Sequence, residues 1–270
     1  MFRKSAKKGD IGLSELEHRT TARIFDVLEI IAQHEGGISF SDIARQVKVP
    51  KGSLHPLLAT MVKRGYLHYK ETERRYYIGA ALFVLGRGYI SANDILDSIA
   101  QEVRNLAAKV EETVFFGTLD NGDMLYLTMS DSFTKIKVVS SPGRKLPAYS
   151  TGCGKALLSQ FSPAQIKQLY PNGLHKVTPN TISSFEELNR QLAEVRSTGF
   201  AYEQEESTQY ICCVGVPICH QSRYLAALSV ATPVLRYSAE KENQVKLLLL
   251  EAKVCIEAII SSNIARWNYS

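Results

Sequence analysis

Residues 20–78 hold three short helical patterns, each closed by a turn signal, and then two aromatic strand segments; few folds accommodate that order. From Thr20, the residues Ile24, Phe25, Leu28, Ile31 and Ala32 fall on one stripe, with Arg23, Asp26 and Glu29 largely opposite. His34-Glu35-Gly36-Gly37 closes this helix, the glycines suiting a left-handed C-terminal residue. Ser39, with Asp42 three positions on, resembles a capping arrangement and opens a short helix to about Val47. Lys48-Val49-Pro50 turns the chain, and a third helix runs over residues 51–64 until Gly65. Tyr66-Leu67-His68-Tyr69 and Arg75-Tyr76-Tyr77-Ile78 read as strands, with 70–74 as the hairpin tip. Three helices followed by a hairpin predict a winged helix-turn-helix. In such a fold the third helix fits the major groove, and the hairpin tip carries Arg74 and Arg75 to phosphates or the minor groove.

The charge distribution agrees. Residues 1–90 carry fifteen Lys/Arg against nine Asp/Glu, whereas the remaining 180 carry seventeen against eighteen. All of the net +5 therefore comes from the first third, as expected of a phosphate-binding module joined to a neutral one. Lys51, Ser53 and His55 lie on the first turns of the third helix, where groove-facing side chains belong. Arg45, Lys63 and Arg64 are phosphate candidates, although Lys63-Arg64 beside Gly65 equally suits the negative end of a helix. Pro56, well inside the third helix, either kinks it or resets its start.

Beyond this module, residues 80–89 read as a connecting helix interrupted by Gly86 and Gly88, which either hinge or allow close helix packing. A helix over 93–110 places Ile95, Ile99, Val103, Leu106 and Val110 on one face. Strands follow at 113–119 and 124–129 around Asn121-Gly122, a strong hairpin signal, and another at 135–139. Helices are expected at 151–160, after the Ser162-Pro163 cap with Gln165, and after Ser184 with Glu187. Segments 200–202, 211–218 and 224–231 are β-rich, and 239–265 reads as a long helix with Val245, Leu248, Leu249, Ala252, Ile256, Ile259 and Ile260 inward. Strands grouped between helices predict an α+β chain, not a doubly wound α/β enzyme. The expected organisation is a basic flexible arm over 1–18, the winged helix-turn-helix over 19–79, a linker helix over 80–92 and a second domain over 93–270.

Several function classes drop out. Apolar runs such as 247–250 fall far short of the ~18 residues needed to span a bilayer, and the basic N-terminus has no apolar stretch behind it. An odd cysteine count of five, with Cys212 and Cys213 adjacent, points to a reducing cytoplasm. Gly154-Lys155 resembles part of a phosphate loop, but Tyr149 and Ala156 occupy positions where that motif requires Gly and Ser/Thr. Cys212, Cys213, Cys219 and His220 lack CxxC spacing, so neither a metal nor another cofactor is expected. Cys212 and Cys255 read as buried small hydrophobes, with Cys219 undecided. Cys153 at a helix start is the one candidate nucleophile, and no pattern supplies its base.

At this point a resemblance enters. Ser41-Asp42-Ile43-Ala44, Leu54, Leu57-Leu58-Ala59-Thr60-Met61 and Gly65-Tyr66-Leu67 resemble the DNA-binding domain of IclR-type transcriptional regulators. Leu146-Pro147, Thr151-Gly152-Cys153-Gly154-Lys155-Ala156-Leu157-Leu158, Gly199-Phe200-Ala201, Glu205-Glu206, Cys213-Val214-Gly215-Val216-Pro217-Ile218 and Ala226-Ala227-Leu228-Ser229-Val230 are similar to their effector domain. The resemblance spans about residues 20–265. It implies a homodimer, often a dimer of dimers, whose heads bind double-stranded DNA at a palindromic operator, and a GAF-like domain that binds a small organic acid. Such a protein is expected to be a cytoplasmic regulator, often a repressor, of a catabolic operon. The effector positions it implies are Gly152, Cys153, Glu203, Cys213, Ser229 and Ala231. Glu203 replaces the usual Asp, Ala231 a usual second serine, and Cys153 a smaller residue. Physically, a helix starting near Thr151 offers N–H groups at Gly152 and Cys153 to a carboxylate. Ser229 adds a hydroxyl and Val138 an apolar wall, while Glu203 favours a ligand hydroxyl, as in a hydroxy acid. A thiol-based redox response through Cys153 or Cys213 is the alternative, and an enzyme using Cys153 a lesser one.

Overall fold

The computed structural model describes residues 18–91, 94–131 and 140–267, and the chain forms two compact units, 1–92 and 93–270. The expected arm over 1–18, apart from His18, and the expected strand over 135–139 lie outside the described residues.

In the first unit, helix α1 (Arg19–Ala32) buries Val27 and Ile31, while Phe25 is 58% exposed. The inward stripe is thus Ile24, Val27, Leu28 and Ile31, an unbroken i, i+3, i+4, i+7 series; Phe25 and Ala32 sit off it, contrary to expectation. Strand β1 (Ile38–Ser39) leads into α2 (Phe40–Val47), capped by Ser39, whose hydroxyl accepts the Asp42 N–H at 3.2 Å and donates to its carboxylate at 2.7 Å. Lys48 is left-handed, with φ 55°, and turns the chain into α3 (Lys51–Lys63). This helix starts at Lys51 and continues through Pro56, so the proline does not reset its start. Strands β2 (Leu67–Lys70) and β3 (Arg75–Ile78) form the wing, and the three-stranded sheet has the order β1-β3-β2. Ile43, Leu54, Leu58, Met61 and Leu67 close the core against α1. Helix α4 (Ala80–Ser91) runs through Gly86 and Gly88 and leaves Phe83, Val84 and Leu85 exposed.

In the second unit, α5 (Asp94–Val110) buries all five of its expected apolar residues. Strands β4 (Thr113–Asp120) and β5 (Asp123–Ser130) meet at Asn121-Gly122, whose φ of 51° and 91° are what a two-residue hairpin turn demands. There follow β6 (Lys145–Pro147), α6 (Gly152–Leu158), α7 (Pro163–Leu169), α8 (Phe185–Thr198), β7 (Ala201–Gln204), β8 (Ile211–His220), β9 (Arg223–Pro233) and α9 (Ala239–Ser262). The six strands pair antiparallel throughout in the order β6-β5-β4-β9-β8-β7, a helix-covered α+β sheet that fits the GAF-like expectation. Helices α5 and α9 cover one face through Ile99, Val103, Leu249 and Ile256. Helices α6 and α8 cover the other through Leu157, Leu188 and Leu192. Alternation along β8 sends Val214 and Val216 to the first face and Cys213 to the second. Cys212 is buried, but Cys255 is exposed: it stands one place before Ile256 and off the inward row of α9.

Candidate functional site

The first candidate surface is α3. Burial of Leu54, Leu58 and Met61 turns the other side of this helix to solvent, so that Lys51, Gly52, Ser53, His55, Pro56, Ala59, Thr60 and Lys63 are exposed. Such a projecting helix has the width of the major groove. His55 leans toward Phe40, with ring centroids 6.2 Å apart. Lys63 and Arg64 stand exposed at the C-terminal end. Sequence reasoning passed over Gly52, Ala59 and Thr60, which share the exposed face with Pro56.

The arginines divide by environment. Arg74 is exposed at the wing tip with φ 54°. Arg75 instead donates from Nη1 to the carbonyls of Gly36 and Gly37, each at 3.0 Å, tying the wing to the turn after α1. Tyr77 reinforces the tie through a hydroxyl bond to Gly36 at 3.1 Å. Arg45 pairs with Asp42 on α2; the Ser39 hydroxyl and this guanidinium hold the Asp42 carboxyl below its ordinary range.

The second candidate is a cleft on the α6 face of the large sheet. Two neighbouring sheet rows build it: Glu203, Cys213 and Ala231 are register partners, and so are Gly215, Ser229 and Phe115. Helix α6 lies directly across them because neither partner has a side chain at the crossing: a Cβ on Gly215 would stand 2.7 Å from the Gly152 carbonyl. The Thr151 hydroxyl caps α6 by accepting the Gly154 N–H at 2.9 Å, leaving the Gly152 and Cys153 N–H groups beyond the reach of the helix's own carbonyls. Gly152, Cys213, Ser229 and Ala231 line one cavity of about 20 Å³, little more than a water's room. Cys153 lies behind it, its Sγ donating to Ser229 Oγ at 3.0 Å; Val138 lies outside the described residues.

The cavity also has walls that sequence reasoning missed. Phe115 and Tyr126 stack tilted with centroids 4.8 Å apart, Arg144 stands on the wall, and Ser207 and Thr208 close the far side. Pro142-Gly143, with Gly143 at φ 85°, is the turn signal that would have located Arg144.

Glu203 does not line the cavity; it sits beside Cys213 with both oxygens buried. Its Oε1 accepts the N–H groups of Glu206 and Ser207 at 2.6 and 3.0 Å. Burial pushes its carboxyl up to about 7, against the lowering effect of the Cys213 thiol and those two donors. Burial also pushes the Cys153 thiol up to about 12 and that of Cys213 well above its ordinary range. Both are therefore thiols, not thiolates, near neutral pH. Beside them runs a buried ion pair that the sequence did not announce. Lys155 Nζ donates to Glu206 Oε1 at 2.6 Å, Gln191 Oε1 at 2.8 Å and the Tyr202 carbonyl at 2.9 Å. Burial lowers the Lys155 ammonium and raises the Glu206 carboxyl. Among the described residues no three His, Cys, Asp or Glu side chains converge as a metal site would require, and no helix is long and apolar enough to cross a membrane.

The IclR helix-turn-helix domain family model matches residues 20–71, and that for the bacterial transcriptional regulator IclR C-terminal domain matches 87–257. The chain is 29% identical over 238 residues to the transcriptional repressor IclR of Escherichia coli, covering 87% of each chain. Among solved structures, an IclR-type transcriptional regulator from Alicyclobacillus acidocaldarius superposes with a TM-score of 0.80 at 24% identity, over 90% of this chain and 99% of that one. An IclR homolog from Microbacterium hydrocarbonoxydans, complexed with 4-hydroxybenzoate, gives 0.78 at 23% identity, over 90% and 99%.

Proposed function

This chain belongs to the IclR family of bacterial transcriptional regulators, and from that premise we propose that it controls a catabolic operon in response to a small carboxylate. It is a DNA-binding regulator with an effector domain and not an enzyme. In our reading two copies dock their α3 helices in successive major grooves of a palindromic operator, in the cytoplasm. Ser53 and His55 lie toward the bases; Lys51, Arg45, Lys63, Arg64 and Arg74 face phosphates. Arg75 positions the wing, and its remaining N–H groups face the backbone. The exposed apolar run Phe83-Val84-Leu85 on α4 supports a second copy as the partner in a homodimer, itself able to pair into a dimer of dimers.

The observation that carries the effector reading is the convergence of Ser229, Arg144 and the first turn of α6 on one aromatic-walled cavity. A hydroxyl, a cation and helix N–H groups suit a carboxylate; Phe115 and Tyr126 suit its apolar body. The ligand of the Microbacterium homolog is itself a carboxylate bearing a hydroxyl. About 20 Å³ is far below the size of ordinary ligand pockets, so an effector must open these walls. A ligand that binds only the opened form shifts the population of the whole domain, and the α4 helix with Gly86 and Gly88 passes that shift to the heads. Burial of the Cys153 thiol, and the upward shift of that thiol and of the half-buried Cys213, speak against the redox alternative.

Selection of operators from a random duplex pool tests the reading. The expected result is a palindromic consensus whose affinity changes at least fivefold with one of a panel of small acids. Sequence-independent binding, with and without the acids, would refute it.

A further inference from the structure

The centre of the exposed α3 face lacks the groups that base-reading helices commonly use. At about 100° per residue, the positions opposite Leu54, Leu58 and Met61 are Gly52, Pro56, Ala59, Thr60 and Lys63. Of the side chains that pair bidentately with guanine or adenine, Arg, Asn and Gln are absent from these positions, and Lys63 stands only at the last turn, away from the centre. A Cβ at Gly52 would meet nothing within 4 Å, so the first turn presents bare backbone to the outside. Thr60 donates its hydroxyl to the Pro56 carbonyl at 2.8 Å; its donor is used within the helix, and its methyl is what it has left to offer. Pro56 forfeits a helical hydrogen bond to Gly52, yet it is exposed, so core packing does not account for it. Where a chain breaks a local rule without a packing reason, function is the expected cause.

The one apolar group on a base edge in the major groove is the C5-methyl of thymine. We propose that the Pro56 ring, the Ala59 methyl and the Thr60 methyl form an apolar strip that reads thymine methyl groups in each half-site, and that these three residues set operator specificity. Short side chains let the helix sit close to the bases, while Lys51 and Lys63 stay free for phosphates on either flank. The inference rests on the reading that α3 enters the major groove.

The test compares duplexes of the selected operator made with dT or with dU. Uracil keeps every hydrogen-bonding group and charge of thymine and lacks only the methyl. With the full-length protein, the expected result is a loss of about fourfold in affinity for each thymine that is read. No change is expected when dU lies outside the half-sites. In the variant Pro56→Ser with Ala59→Ser the dU penalty should shrink to the share of the remaining Thr60 methyl. Equal affinity of the wild-type chain for both operators would overturn the strip while leaving groove docking intact. A variant that keeps the full penalty would overturn its assignment to α3. Failure to recover any preferred sequence would refute base reading by α3 itself. Should the double variant not fold, the wild-type comparison decides alone.

Discussion

The Cys153 thiol donates to the Ser229 hydroxyl across 3.0 Å, so that the first turn of α6 and the centre of β9 are joined by a contact a single oxygen or sulfur atom wide. This bond lies behind the cavity beside α6, and burial around it makes the thiol a poor nucleophile.

Thiol labelling should therefore follow exposure and not position in a motif. In the native protein at pH 8, a maleimide should modify the exposed Cys255 first and the half-buried Cys213 and Cys219 more slowly, and leave Cys153 intact until denaturant is added. Mass spectrometry of the labelled peptides reads this directly. Rapid labelling of Cys153, or a Cys153–Cys213 disulfide under mild oxidant, would restore the redox reading.

The Lys155–Glu206 pair is buried at both ends, with side-chain exposures of 1% and 7%. Replacing Lys155 by Met strands a carboxylate and should lower stability by about 3–5 kcal/mol, measured by urea denaturation. Adding Glu206→Leu should recover much of that loss. A double variant no better than the single one would show that the two charges act separately.

Stability should depend on pH through Glu203. Its carboxyl stands at about 7 in the fold against an ordinary 4.5, so the folded chain holds a proton that the unfolded chain releases. Stability therefore falls as pH rises from about 4.5 toward 7 and levels off above, by an amount of about 3 kcal/mol. Glu206, raised by the same burial, adds to the slope. Lys155, lowered by burial, titrates from the alkaline side. Denaturation at pH 5 and pH 7.5 should show a clearly smaller difference for Glu203→Gln than for the wild type; an unchanged difference would mean that Glu203 is ionised throughout.

Arg74 and Arg75, adjacent in sequence, should part in their effects. Arg74→Ala should lower the slope of log affinity against log salt by about 0.9 per copy and leave the melting temperature unmoved. Arg75→Ala should lower the stability of the first unit by about 1.5–3 kcal/mol, since it removes charged bonds to two carbonyls. Equal thermal effects of the two would sink this division.

What could be read in the chain beforehand was whatever a short window encodes. The Ser39 and Ser162 caps, the Asn121-Gly122 hairpin and the apolar face of α5 all depend on residues a few positions apart. Phe25 misled because two overlapping stripes compete within α1 and only packing against α2 and β3 chooses between them. Cys255 misled for the same reason on α9, a helix apolar on several sides. At the site, Gly152 and Ser229 were accessible through the family resemblance. Arg144, Phe115 and the Lys155–Glu206 pair were not, because what brings them together is strand register and helix crossing over long separations.

The pairing of β4 with β9 matches Thr113 to Ala231, more than a hundred residues further along the chain. A ribosome delivers that partner late: at about 5–20 residues per second, β9 emerges roughly seven to thirty seconds after the wing. The head has its own closed core by then, whereas the six-stranded sheet of the second unit still lacks a central strand. Each newborn copy thus passes through an interval in which its DNA-binding head has a closed core and its second domain does not.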